Sequence, residues 1–200
     1  MNKKLLYILL LLIVPSYAFA QRFNGGILAG INASQVDGDN YAGYNKFGFA
    51  IGVFTTTKLS DRIMGEMQLR YMQKGANKKI TDLDPSMYIS KLHYIELPLL
   101  LRFKLNNRIS YHVGPGLGYL FKSTQENEYG FLNPPDGVKF KSFELFGIVG
   151  FNYKIYKNLA ISVSFSYSIL PIANHTNNQT YYLNRGSYNN LFTTVFYYQL

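Results

Sequence analysis

The chain has 200 residues, 20 Lys and Arg against 11 Asp and Glu, a formal net charge of +9, and neither cysteine nor tryptophan. That length suits one domain. The lack of cysteine excludes a disulfide scaffold and, with only three scattered histidines, argues against a zinc site.

Residues 1–20, MNKKLLYILLLLIVPSYAFA, open with Lys3 and Lys4, continue in an apolar run from Leu5 to Val14, and close on Ala18-Phe19-Ala20. The order charged, apolar, small predicts a cleaved secretory signal with cleavage before Gln21. The apolar run is shorter than the ~20 residues a spanning helix needs. Losing Lys3 and Lys4 takes the formal charge from +9 to +7. Charged, polar or glycine residues interrupt every later apolar run, so any membrane crossing must be made by strands. The expected domains are a signal peptide over 1–20 and an outer-membrane β-barrel over 21–200.

Period-two alternation and turn residues predict eight strands, at 23–33, 46–57, 63–73, 92–103, 109–121, 140–153, 159–169 and 188–200. Each is near the ~9–11 residues that a tilted strand needs to cross a bilayer core. The seventh, LAISVSFSYSI, puts Leu, Ile, Val, Phe, Tyr and Ile on one parity and Ala and four Ser on the other. The connections alternate: 58–62 (KLSDR), 104–108 (KLNNR) and 154–158 (KIYKN) are short, and 34–45, 74–91, 122–139 and 170–187 are long. Short turns at one end and long loops at the other match an outer-membrane barrel, with both termini periplasmic and the long loops extracellular.

Charge placement decides which face meets lipid. One parity carries Glu66, Gln68, Arg70, Glu96, Arg102, His112, Glu144 and Asn152 with several glycines, and the other carries Phe47, Phe49, Ile51, Val53, Leu97, Leu99, Leu101, Val149 and Phe151. Lysines keep to turns, loops and strand ends, as expected where a midplane Lys on the lipid face costs about 2–4 kcal/mol. The charged parity therefore looks inward, which disfavours a soluble ligand-carrying barrel.

The signal ending at Ala20-Gln21, the first strand GGILAGINAS (25–34), the fourth strand YIELPLLLRF (94–103) and the fifth-strand GPGLGYLF (114–121) resemble the PorT-type small outer-membrane β-barrel proteins of bacteria that use type IX secretion. The resemblance covers nearly all of the mature chain and implies an eight-stranded barrel. One family member is tied to secretion and surface translocation. The last strand, LFTTVFYYQL, is similar to the C-terminal strand read by the barrel-assembly machinery, although it closes on Leu200 rather than an aromatic residue.

Chemistry is sparse. GPGLG lacks a following Gly-Lys-Ser/Thr and runs on into a strand, so its glycines are read as room for bulky inward residues such as Phe146 and Tyr197. His93, His112 and His175 lack metal-ligand spacing, and Asp37, Asp39, Asp82 and Asp84 are read as solvated turn carboxylates. The reading assigns no catalytic residue, cofactor or metal, and no nucleic-acid partner. A lipid-directed enzyme, with His175 beside Thr176 as its loop candidate, is the alternative from a different class.

The inward set Glu66, Gln68, Arg70, Glu96, Arg102, His112 and Glu144 is read as a structural polar network, because buried charges must pair. A hairpin symmetric about 74–91 puts Arg70 opposite Glu96, with Glu66, Arg102 and His112 toward the periplasmic end and Glu144 nearer the loops. Such a network argues against a general diffusion pore. Specificity is then left to loops rich in Tyr, Asn, Ser and Gly, with Tyr41, Tyr44, Tyr181, Tyr182 and Arg185 as candidate contacts. The expected partners are outer-membrane lipid, the barrel-assembly machinery during biogenesis, and a secretion-system or surface protein.

Overall fold

The computed structural model describes residues 23–38, 43–78, 86–132, 137–174 and 186–200. The predicted signal peptide and its cleavage site lie outside the described residues. Eight long antiparallel strands form a closed up-and-down barrel: β1 (Phe23–Asp37), β2 (Lys46–Lys58), β3 (Ile63–Lys78), β4 (Tyr88–Lys104), β5 (Ile109–Asn127), β7 (Phe143–Lys154), β8 (Leu159–Ser168) and β9 (Tyr188–Gln199). A ninth, two-residue strand, β6 (Gly130–Phe131), folds back on the end of β5. Each barrel strand pairs with its neighbours in chain order, and β9 pairs with β1 to close the ring.

The three short connections use one turn. In each, two successive N–H groups donate to a single carbonyl: Leu59 and Ser60 to Ile63, Leu105 and Asn106 to Ile109, Ile155 and Tyr156 to Leu159. The Asn106 side chain also accepts from Arg108 N at 2.8 Å and Ile109 N at 2.7 Å, the local bonding that suits Asn to turns. This repeated K-apolar-x-x-R/N sequence sets the register of three hairpins at one end of the barrel.

Several strands run well past the predicted bounds at the opposite end. β1 continues to Asp37, β3 to Lys78 and β5 to Asn127, while β4 starts at Tyr88. The stretches 74–78 (KGANK) and 88–91 (YISK) read as the two ends of a long loop, yet they pair residue by residue from Lys74↔Leu92 to Lys78↔Tyr88. β7 begins at Phe143, later than expected; Phe140 instead makes an isolated bridge to Ala173, which bridges Ser187. A bulge between His93 and Tyr94 shifts the β4–β5 register, so the inward parity of β5 changes and Gln125 becomes buried. The Gln125 amide then clamps residue 138, donating to Val138 O and accepting from Val138 N, both at 2.8 Å.

The two parities separate by exposure. Phe47, Val53, Leu99, Leu117, Val149 and Phe151 are exposed, while Leu28, Met72, Tyr94, Phe146 and Val195 are buried within the ring. In the opening alternation of β8, Ser162, Ser164, Ser166 and Ser168 are all buried. The serines look inward, and the large residues form the outer wall. Ile172 and Ala173, from the connection after β8, are fully buried, and Ile172 joins the same core at the long-loop end.

A Lys at Val149, mid-strand on the outer wall and 52% exposed, is expected to destabilise the barrel by about 2–4 kcal/mol in lipid, whereas Lys at Ile155 in a short turn should cost close to nothing. Equilibrium unfolding of Val149→Lys and Ile155→Lys in phospholipid vesicles checks this depth dependence.

Candidate functional site

The pairing ladder brings the inward charges together. One hydrogen-bonded row runs Leu28, Gly52, Arg70, Glu96, Gly118, Glu144 across six successive strands. Side chains in one row are neighbours across the strands, so long charged groups can meet only if the positions between them are small. Gly52 and Gly118 supply that space: a Cβ on Gly52 would lie 2.6 Å from the Arg70 Cβ, and one on Gly118 3.2 Å from the Tyr94 ring. A second row runs Arg102, His112, Gly150, Ser164, Thr193, Asn32, Gly48. There Gly150 makes way for His112, whose Cε1 would sit 2.8 Å from an added Cβ. Gly116 does the same for Phe146, at 2.4 Å.

Arg70 is in register with Glu96 and binds it with two nitrogens, Nε at 2.9 Å and Nη2 at 2.8 Å, to Oε2. The other Glu96 oxygen faces Lys74 Nζ at 2.5 Å, and Lys74 reaches on to Glu144 Oε2 at 2.9 Å. Glu144 is also held by Ser168 Oγ at 2.6 Å, which in turn accepts from Asn189 N at 2.9 Å. Toward the short-turn end, Arg70 Nη1 donates to Gln68 Oε1 at 3.1 Å, and Gln68 Nε2 donates to Glu66 Oε1 at 2.7 Å and Tyr197 Oη at 2.8 Å. Glu66 pairs with Arg102, whose guanidinium lies over the Tyr197 ring. A continuous chain of polar contacts thus runs Arg102, Glu66, Gln68, Arg70, Glu96, Lys74, Glu144, Ser168, Asn189. His112 stands beside it, its Nδ1 2.9 Å from the Asn152 amide nitrogen, which donates when the ring carries its proton on Nε2.

Charge is conserved along this chain, with Glu66, Glu96 and Glu144 against Arg102, Arg70 and Lys74. Each ion has an opposite charge within contact distance, which offsets the cost of removing it from water. Lys74 is the charged member outside the inward set expected from the sequence, because the third strand expected there ends at Gln73. It is 1% exposed, with its ammonium 4.9 Å and 4.6 Å from the centres of the Tyr94 and Phe146 rings. The signal was available in the parity Glu66, Gln68, Arg70, Met72, Lys74, Ala76, which continues unbroken.

Of the loop candidates, Tyr41, Tyr181, Tyr182 and Arg185 lie outside the described residues, as do His175, Asp39, Asp82 and Asp84. Tyr44 is described. Its hydroxyl donates to Asn190 Oδ1 at 2.8 Å and its ring packs edge-on against Phe192, with centroids 5.0 Å apart. Asn190 donates to Asp37 Oδ2 at 3.0 Å, and Gln35 to Asp37 Oδ1 at 2.6 Å. Burial, then the Asp37 charge, hold the Tyr44 phenol above its ordinary pKa, so it remains a neutral donor. Among the described residues no three His, Asp or Glu converge as metal ligands. His93 Nδ1 faces Tyr71 Oη at 2.7 Å.

The family model described as "outer membrane protein beta-barrel domain" matches residues 19–174. Among solved structures, Ail, the attachment invasion locus protein of Yersinia pestis in complex with the heparin analogue sucrose octasulfate, superposes with a TM-score of 0.51 at 14% identity, covering 90% of this chain and 99% of that one. Neisserial surface protein A gives a TM-score of 0.51 at 12% identity, covering 89% of this chain and 97% of that one. At such identities the likeness speaks for the fold. No curated protein matches the sequence.

Removing one member of the central group leaves a buried charge unbalanced, so Arg70→Met and Glu96→Gln are each expected to cost about 3–5 kcal/mol. Removing both leaves Lys74 with Glu144, a balanced pair, so the double variant should lose much less than the two single losses together. A double-mutant cycle on unfolding in lipid vesicles reads the coupling.

Proposed function

The chain belongs to the outer membrane protein beta-barrel domain family, and from that premise we propose a non-enzymatic outer-membrane barrel, plugged by its own side chains, whose longer loops carry its specificity. On this reading both termini and the three short turns face the periplasm, and the long connections face outward from the cell.

The observation that carries the proposal is the unbroken polar chain from Arg102 to Asn189, lying in a ring of eight strands. An eight-stranded barrel is just wide enough for side chains to fill. Phe54 and Tyr197 meet edge-to-face near the short-turn end, with centroids 4.9 Å apart, and Ile172 and Ala173 are buried at the other. A solute would have to displace both apolar layers and break paired charges between them. That argues for a role exercised at the loops rather than through the lumen.

The base of the loops supports the same reading. Tyr44, Asn190, Asp37 and Gln35 are bonded to one another across β1, β9 and the segment before β2, which gives the outward loops an ordered footing. Tyr, Asn, Ser and Gly above it supply aromatic contact area and adaptable hydrogen bonding. The PorT-type likeness of YIELPLLLRF and GPGLGYLF supports, beside binding at the loops, a role as an accessory to secretion or surface translocation. Its partner would then be a secretion-system or surface protein, and the C-terminal LFTTVFYYQL would be the strand read during assembly. Ail, the attachment invasion locus protein, was crystallised in complex with a heparin analogue, which fits a surface-binding role for this architecture.

Because the chain has no cysteine, single introduced thiols report topology cleanly. In intact cells, Tyr44→Cys is expected to react with a membrane-impermeant maleimide and Asn106→Cys only after the outer membrane is permeabilised. Liposomes carrying the wild-type protein should show no swelling in small sugars above empty liposomes. The reverse labelling order would invert the topology, and sugar-driven swelling would remove the plugged lumen.

A further inference from the structure

The short-turn mouth encloses a cavity of about 470 Å³, with Phe54 and Tyr197 at its floor. Its charged lining has one sign: Arg102, Lys104, Arg108, Lys154 and Lys157 border it, and no Asp or Glu does. The strands cause this. Lys104 continues the inward parity of Arg102, and Lys154 continues that of Asn152, so the lysine that opens each of these two turns borders the cavity. Arg108 and Lys157 follow within the same two turns. Glu66 neutralises Arg102 from the interior side. Among the described residues no carboxylate pairs with Lys104, Arg108, Lys154 or Lys157.

Lys104 lies within electrostatic range of Asp61 in the neighbouring turn, and Arg108 Nη1 donates to Tyr153 Oη at 3.5 Å; the mouth nevertheless carries more cations than carboxylates, and a concave site lined by one sign concentrates counter-ions. The volume falls within the roughly 300–1,000 Å³ of small-molecule sites. Arg108 offers a planar fork and the lysines point charges, the combination that suits a tetrahedral oxyanion with several acceptor oxygens. Amide groups of Asn106, Asn158 and Gln199 also border the cavity and add neutral donors.

We propose that the short-turn mouth is a binding site for a phosphate-bearing anion. Such a group can come from a soluble phosphate compound or from the headgroup of an anionic phospholipid in the adjacent leaflet. The inference needs the barrel and its turns, and is independent of which side of the membrane they face.

The test uses the mature chain in phosphatidylcholine nanodiscs, which leave both mouths open to solution, titrated with inorganic pyrophosphate by calorimetry at low salt. Saturable one-to-one binding that weakens as salt is raised is expected. Two variants, Lys104→Gln/Arg108→Gln and Lys154→Gln/Lys157→Gln, should each bind at least tenfold more weakly, while Lys139→Gln/Lys141→Gln, before β7 at the other end, should match the wild type. Repeating the titration in phosphatidylglycerol nanodiscs separates the sources: apparent competition assigns the site to a headgroup, and unchanged affinity assigns it to a soluble anion. An absence of saturable binding to the wild type, or wild-type affinity in either turn variant, overturns the proposal.

Discussion

Hydrocarbon offers no hydrogen-bond partner to a backbone N–H or C=O, so a chain that crosses it in strands must pair every strand on both edges. The β9–β1 ladder meets that demand, with Gly26↔Gln199 through Asp37↔Tyr188 closing the ring. Everything else follows from closure. Eight strands leave an interior only a few side chains wide, and period-two alternation sends half of all residues into it. Inward residues must therefore be small, apolar or mutually neutralising, and outward residues must tolerate lipid.

The interior meets this in a definite way. Glycines at 52, 118, 116 and 150 give up their volume to the long side chains beside them. Three carboxylates meet three cations in an order that alternates along the lumen. Ion pairs of this kind add little net stability over apolar packing, but they discriminate between registers. A one-residue slip turns every side chain to the wrong face. A two-residue slip keeps the faces and is the harder error to prevent. Between β3 and β4 it would carry Arg70 from Glu96 to Tyr94 or Pro98 and break the Glu66–Arg102 pair at the same time. Pro98 already marks a weak place in that ladder: pairing lapses over residues 68–69 opposite 97–98, where proline has no N–H to give. The buried charges hold the register where the backbone holds it least.

Much of this was legible in the sequence, for a physical reason. Lipid imposes a one-sided rule on charge, so the parity of Glu66, Arg70, Glu96 and Glu144 identifies the inner wall without any knowledge of the fold. The short turns were legible because their K-apolar-x-x-R/N pattern repeats three times. Lys74 was not, because a lysine at the edge of an alternating run looks like the first solvated residue of a loop; its burial depends on Tyr94 and Phe146, which are distant in the chain. The bulge at His93/Tyr94 was hidden for the same reason, as it is defined by a partner strand. Ile172 and Ala173 read as loop residues and are buried by a return across the mouth that no local pattern encodes.

The central claim is that the outer wall touches lipid and the inner wall does not. Nuclear Overhauser transfer from acyl-chain protons to side-chain methyls, measured on the mature protein in lipid nanodiscs, tests it without altering a residue. The account predicts transfer to Val53, Leu97, Leu99, Leu101, Leu117 and Val149, and none to Leu28, Leu100, Ile148, Leu191 or Val195. Transfer to the second group, or water contact in place of lipid contact at the first, would contradict it.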